Sequence, residues 1–239
     1  MAKVSDEWKV RPHGPIEKLT ERLWRIEGTL PGMSLRRVMT VARREDGRLV
    51  IHSGIALNEA DMKELEAWGP PSFLLVPNAV HRLDAPAYKK RFPGITLLTP
   101  RGSRKKVEAL VPVDGTYEDF PPDPYIELHR LAGVGDFEGM MLVRSSDGVT
   151  VVLNDAVMNM DPKADLLGYL FTTVLGSAPG PRVSRLAKLV LVKDRAALRA
   201  DLERLAALPD LARLIVAHEK VANGKAAASE ALRQAATYL

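Results

Sequence analysis

Short apolar runs alternate with longer amphipathic segments along most of the chain. Five runs have the length and composition of β-strands: LWRIEGTL (23–30), FLLVP (73–77), ITLLTP (95–100), IELHRLAG (126–133) and ARLIVAH (212–218). Two further stretches predict hairpins, SLRRVMTVARREDGRLVIHSG (34–54) with its turn at Asp46-Gly47 and MMLVRSSDGVTVVLND (140–155) with its turn at Ser146-Asp147-Gly148. The pattern therefore predicts a group of strands in each half of the chain.

Helix start and stop signals lie between these strands. The predicted helices are 58–68 with Asn58 as its N-cap, APAYKKRF (85–92) after Asp84, 103–112 capped by Ser103, 163–176, 184–192, a long helix after Asp194, and 227–239. Each half thus supplies strands followed by helices, with no Ser/Gly-rich linker between the halves. We expect an α/β fold in which two sheets face each other and helices cover both outer faces.

Composition and charge narrow the class of protein. The 239 residues are 46% hydrophobic and 27% charged, as in soluble globular proteins, and the absence of cysteine excludes disulfides, thiolate ligands and cysteine nucleophiles. The net charge of +4 is spread along predicted helices, and the densest basic stretch, RGSRKK (101–106), lacks aromatic residues, so no nucleic-acid partner is expected. The N-terminal stretch 1–12 has no apolar core and no run reaches about 18 apolar residues, which predicts a cytoplasmic protein without a membrane span.

Several common catalytic motifs are missing from the sequence. It contains no G-x-S-x-G nucleophile elbow, no G-x-x-x-x-G-K-[ST] phosphate loop and no G-x-G-x-x-G fingerprint. The glycines of GVGDFEG (133–139) precede a hairpin instead of opening a helix, so this segment is expected to be a loop at the rim of a sheet.

The order of landmarks along residues 23–238 resembles the metallo-β-lactamase superfamily. The segments that carry the resemblance are "LWRIEGT", "DGRLVIHSG", "FLLVPNAVHRLDA", "LAGVGDFEGMMLVRSSDGVTVVLNDAV" and "LIVAHEK". The resemblance implies one domain over residues 1–239, folded as a four-layer αββα sandwich with a metal site at the edge where the two sheets meet.

The metal residues of that superfamily are largely replaced. Asn78, Val80, Arg82 and Leu83 stand where its H-x-H-x-D-H motif has His, His, Asp and His. Only Asp136 stands close to the place of the next metal histidine, whereas Asp155 and His218 match metal-binding landmarks. The resemblance therefore implies a divergent branch with a degenerate metal site.

One metal ion, zinc or iron, could still be held by His81, Asp155 and His218, with Asp84 or Asp136 as a further ligand. The remaining histidines are expected to stay outside the site, with His52 in a structural role. Each candidate also has a structural explanation: Asp84 as an N-cap, Asp155 as the start of a turn, and His81 and His218 as strand-end histidines.

Two functions follow from these alternatives. With a metal, the resemblance implies a hydrolase that acts on a small-molecule ester, lactone or phosphoester. Without one, the fold would serve as a non-enzymatic binding or scaffold protein. The apolar segment DLLGYLFTTVLG (165–176) either covers the core or pairs with a second subunit in a homo-oligomer.

Overall fold

The computed structural model describes residues 4–239, so the first three residues of the N-terminal stretch 1–12 lie outside it. The first half of the chain forms a seven-stranded sheet in which the strands lie side by side in the same order as in the sequence. They are β1 (Glu17–Lys18), β2 (Leu23–Leu30), β3 (Met33–Arg43), β4 (Leu49–His52), β5 (Pro71–Leu75), β6 (Thr96–Thr99) and β7 (Gly115–Thr116). Strands β1 to β4 are antiparallel, and β4 to β7 are parallel. The predicted hairpin at Asp46-Gly47 is confirmed as the β3–β4 pair.

The second half of the chain forms a five-stranded sheet. Its strands are β8 (Ile126–Arg130), β9 (Gly139–Ser145), β10 (Gly148–Val152), β11 (Leu211–Ile215) and β12 (Ala222–Asn223), in the spatial order β12-β11-β10-β9-β8. β10 and β11 are parallel, and the other neighbours are antiparallel. Three strands were not predicted, β1, β7 and β12, because two residues are too few to show a period.

Within residues 4–239, seven α-helices connect or follow these strands. They are α1 (Glu59–Trp68), α2 (Ala85–Arg91), α3 (Arg104–Glu108), α4 (Leu166–Tyr169), α5 (Arg185–Val190), α6 (Arg195–Ala206) and α7 (Lys225–Ala236). The predicted N-caps at Asn58 and Asp194 are confirmed, since their side chains accept the Asp61 and Ala197 amides. None of the helices described in residues 4–239 is long and apolar enough to span a membrane.

Three buried clusters define four layers. Val38, Leu75, Met141 and Ile215 belong to the cluster between the two sheets. A second cluster packs α1, α2 and α3 against the outer face of the first sheet, and a third packs α5, α6 and α7 against the outer face of the second. The αββα sandwich is therefore confirmed.

Two capping predictions are wrong. Asp84 precedes α2, but its side chain caps no amide of that helix. Ser103 precedes α3 and also does not cap it, because its hydroxyl donates to the Phe137 carbonyl oxygen 2.7 Å away. In both cases a partner distant in sequence replaces the local hydrogen bond.

The predicted helix 163–176 is divided in the structure. α4 continues into a π-helical turn, Leu170–Val174. Phe171 packs against the small buried cluster that contains Leu35 and Met160, whereas Leu166 is 83% exposed. One side of the segment thus covers the core and the other faces outward.

Candidate metal centre

Three polar side chains meet where strands from both sheets end. His81 lies in the connection between β5 and α2, and Asp155 and His218 each follow the last residue of a parallel strand, β10 or β11, by three positions. The side chains of His81, Asp155 and His218 are 11%, 18% and 6% exposed. Because strands end at this edge of the sandwich, residues far apart in sequence share one small volume.

One carboxylate oxygen lies between the two imidazoles. Asp155 Oδ1 is 3.1 Å from His81 Nε2 and 3.4 Å from His218 Nε2. One potential ligand atom from each of the three residues lies within 4.8 Å of the others. Ligand atoms about 2.0–2.2 Å from a tetrahedral ion lie roughly 3.3–3.6 Å apart, so the two distances between Asp155 and the histidines are close to those expected around a small cation such as zinc.

The outward-facing atoms of the three side chains already have partners. His218 Nδ1 donates to the Arg36 carbonyl oxygen at 2.6 Å, and His81 Nδ1 lies 3.3 Å from Ser53 Oγ. Asp155 Oδ2 accepts from Asn78 Nδ2 at 2.7 Å. Such outer contacts fix the orientation of metal ligands, and here they leave Nε2 of each histidine and Oδ1 of Asp155 facing one another.

Burial and mutual contact determine the charges in the cluster. Burial would raise the pKa of Asp155, but the charges and hydrogen bonds of His81 and His218 hold it well below its usual range. Burial would lower the pKa of His218, but its hydrogen bond and attraction to Asp155 raise it above the usual value. The Asp155 carboxylate is therefore ionised and attracts either protons or a cation to the imidazoles.

A fourth residue, Glu138, was not predicted from the sequence. It lies just before β9, its side chain is fully buried, and its carboxylate accepts the backbone N–H groups of residues 154, 155 and 156. Burial and the nearby charge of Asp155 both raise the pKa of Glu138 above its usual range. The only sequence signal for Glu138 is that an acidic residue directly precedes an apolar strand. Acidic residues are common at the ends of strands, so this position alone does not point to a functional site.

Two further ligand candidates are not in the cluster. Asp84 accepts from Arg37 Nη2 at 2.5 Å and from Arg11 Nη1 at 3.1 Å, and it also accepts the Ala56 amide. Asp136 forms an ion pair with Arg130. The suggestion that Asp84 or Asp136 completes the ligand set is therefore wrong, because each carboxylate is engaged by arginine elsewhere.

The residues at the positions of the superfamily's H-x-H-x-D-H motif are not among the three clustered side chains. Val80 is 59% exposed, and the Arg82 guanidinium donates to the Lys106 carbonyl oxygen. Asn78 differs from these two residues, since its side-chain amide contacts Asp155 and its Oδ1 accepts the amides of Val80 and His81. The Asn78 side chain is therefore next to the cluster, where it forms a hydrogen bond with the Asp155 carboxylate.

The other histidines are not members of the three-residue cluster found among the described residues. His13 accepts the Asn58 amide, and His129 pairs with Glu127 on β8. His52, at the end of β4, is buried, and its Nε2 has no hydrogen-bond partner among the residues that the structure describes. Burial, together with the charge of His81, lowers the pKa of His52 to about 3, so it is neutral near pH 7.

The sequence matches no protein-family model and no curated protein. Solved structures are similar over nearly the whole chain. A metallo-β-lactamase from Erythrobacter litoralis is 15% identical with a TM-score of 0.59, covering 94% of this chain and 96% of its own. The metallo-β-lactamase FIM-1 from Pseudomonas aeruginosa, in its mono-zinc form, is 12% identical with a TM-score of 0.59, covering 97% and 98%. A metallo-β-lactamase from Hirschia baltica is 14% identical with a TM-score of 0.58, covering 92% and 97%. The chain therefore has the metallo-β-lactamase fold, as the resemblance implied.

Proposed function

We propose that this protein binds one divalent metal ion, zinc or iron, through His81, Asp155 and His218, and uses it to hydrolyse a small-molecule ester, lactone or phosphoester. The observation that carries the proposal is the convergence of one oxygen and two nitrogens from both sheets within 4.8 Å. That the mono-zinc form of a structurally similar protein has been solved is consistent with a single ion.

The ligand set suits this chemistry. Two imidazole nitrogens and one carboxylate oxygen are ligands that zinc accepts, and three protein ligands leave a fourth position open. Zinc bound in this way is a Lewis acid that activates water for attack on an ester or phosphoester. The chain itself orients the ligands through Arg36, Ser53 and Asn78 and keeps their side chains mostly away from solvent.

A second candidate function, a metal-free binding or scaffold protein, is favoured by a different observation. Asp155 Oδ1 lies at hydrogen-bond distance from His81 and faces His218 as an ion-pair partner, so the three side chains can compensate one another without a cation. In that case the cluster would stabilise the sheet edge, and function would belong to a surface elsewhere.

Elemental analysis of tag-free protein, purified without chelator or nickel resin, separates the two candidates. Zinc, iron, manganese and nickel are counted per chain in the wild type and in His81→Ala, Asp155→Ala and His218→Ala. If the metal site exists, the wild type should contain about one ion per chain, and each of the three variants should fold but contain none. His129→Ala is the matched control, because His129 also pairs with a carboxylate but lies on β8.

A hydrolase screen with ester, lactone and phosphoester substrates follows on the metal-loaded protein. Activity that disappears with the metal and in His218→Ala would support the enzyme. A wild type that retains no metal and fails to bind added zinc would overturn the metal site and leave the scaffold candidate.

A further inference from the structure

Glu138 is a buried carboxylate without a buried cation beside it. Its side chain is fully buried, and no arginine or lysine in the described part of the chain forms an ion pair with it. Burying a carboxylate is costly unless hydrogen bonds replace its hydration. A position maintained at such a cost calls for an explanation beyond packing.

The hydrogen bonds of Glu138 converge on the turn that carries Asp155. Its Oε1 accepts the amides of Asn154 at 3.1 Å and Ala156 at 3.0 Å, and its Oε2 accepts the amide of Asp155 at 2.9 Å. Three consecutive N–H groups therefore point at a single carboxylate. The Glu138 carboxylate therefore holds the backbone at Asp155 and on both sides of it in place.

Asn78 connects this turn to the one that carries His81. Its Nδ2 donates to Asp155 Oδ2 at 2.7 Å and lies 3.4 Å from Glu138 Oε2. Its Oδ1 accepts the amide of His81 at 3.0 Å. The network thus joins the β5–α2 connection of one sheet to the turn after β10 in the other.

We propose that Glu138 is the positioning residue of the metal site: by binding the 154–156 amides and, through Asn78, the 78–81 turn, it holds the Asp155 carboxylate at the distance from His81 and His218 that a metal ion requires. This inference rests on the proposed metal-binding function. Outer contacts of this kind change metal affinity by about 10–100-fold when removed.

Glutamine is the informative replacement because it keeps the shape of Glu138 but has one acceptor oxygen where the ionised carboxylate has two. Both carboxylate oxygens of Glu138 face backbone amides, so either orientation of a glutamine amide places an NH₂ group against an N–H donor. Glu138→Gln is therefore expected to bind zinc about 10–100-fold more weakly in a competition titration. The absorption spectrum of its cobalt-substituted form should also change, because the ligand geometry is altered.

Asp201→Asn is the matched control. Asp201 is another buried carboxylate that accepts a backbone amide, that of Ala132, but it lies on α6. It should cost stability while leaving zinc affinity and the cobalt spectrum as in the wild type. If Glu138→Gln does not fold, Glu138→Asp, which shortens the reach by one methylene, is measured in its place with the same expectation.

Unchanged zinc affinity and an unchanged cobalt spectrum in the folded Glu138 variant would overturn the inference. If the wild type itself binds no metal, the proposed function fails, and the positioning role is judged on the metal-free protein. Imidazole ¹⁵N resonances of His81 and His218 should then shift in Glu138→Gln and not in Asp201→Asn. Unshifted resonances would reject the role of Glu138 independently of any metal.

Discussion

His218 Nδ1 lies 2.6 Å from the backbone carbonyl oxygen of Arg36, a contact that crosses from the second sheet to the first. A carbonyl oxygen can only accept, so a ring proton of His218 is on Nδ1, and Nε2 is directed at Asp155. One hydrogen bond between the sheets thus selects the tautomer that a metal ligand at Nε2 needs.

The first prediction concerns this tautomer. In ¹⁵N-labelled, zinc-loaded protein, His218 should retain a slowly exchanging Nδ1 proton, while its Nε2 resonance moves on loading. Heteronuclear NMR of the imidazole nitrogens measures both. Loss of the Nδ1 proton on adding zinc would contradict the assignment, because it would place the ion on the wrong nitrogen.

Zinc affinity should fall as pH decreases, and the fall should begin above about pH 6.5. Contact with Asp155 outweighs burial and raises the pKa of His218, so protons compete for its Nε2 at a higher pH than they would in a free histidine. The expected slope is about tenfold per pH unit for each proton released. Competition titrations with a chromophoric chelator between pH 6 and 8.5 measure it, and a flat profile would argue against histidine ligation.

Acid should destabilise the metal-free protein partly through His52. Its folded-state pKa is about 3, below the value of about 6.5 for an unfolded chain, so only the unfolded state takes up a proton between these values. The stability from neutral His52 is therefore present above pH 6.5 and is lost as pH falls, by up to about 1.4 kcal/mol per unit.

Urea unfolding at pH 4.5 to 7.5 tests this prediction with two variants. His52→Leu should show a shallower decrease of unfolding free energy toward acid than the wild type. His129→Leu, at a half-exposed position on β8, should keep the wild-type slope. Equal slopes for all three proteins would show that His52 is not the acid-sensitive group.

The ion pair between Asp84 and Arg37 should matter far more than surface pairs. Both side chains are buried, and Asp84→Ala leaves the Arg37 charge without its partner, which is expected to cost about 3–5 kcal/mol of unfolding free energy. Glu64→Ala removes the exposed Lys18–Glu64 pair, separated by 2.7 Å, and should cost less than about 1 kcal/mol. Denaturant unfolding compares them, and similar losses would contradict the importance of burial.

The sequence by itself determined the layers of this protein. Short apolar runs alternating with capped amphipathic segments specify strands and helices locally, and their order, strands then helices in each half, favours two sheets covered on their outer faces. Asn58 and Asp194 could be recognised as N-caps because the hydrogen bonds involved span only three residues. Asp155 and His218 could be singled out because they match metal-binding landmarks of the superfamily that the sequence resembles, and His81 because it lies in the segment where that superfamily has its metal motif.

Only the tertiary structure decided how the polar side chains are paired. Asp84 has the sequence position of an N-cap, yet its carboxylate accepts a hydrogen bond from Arg37, which is 47 residues away in the sequence. Glu138 belongs to no sequence motif, and its contact with the turn at Asp155 becomes apparent only in the folded protein, where the Asp155 amide donates to its carboxylate. A charged side chain forms hydrogen bonds with groups that the packing of the two sheets places within about 3 Å of it. The separation of two residues along the sequence does not show whether they come that close in the folded protein.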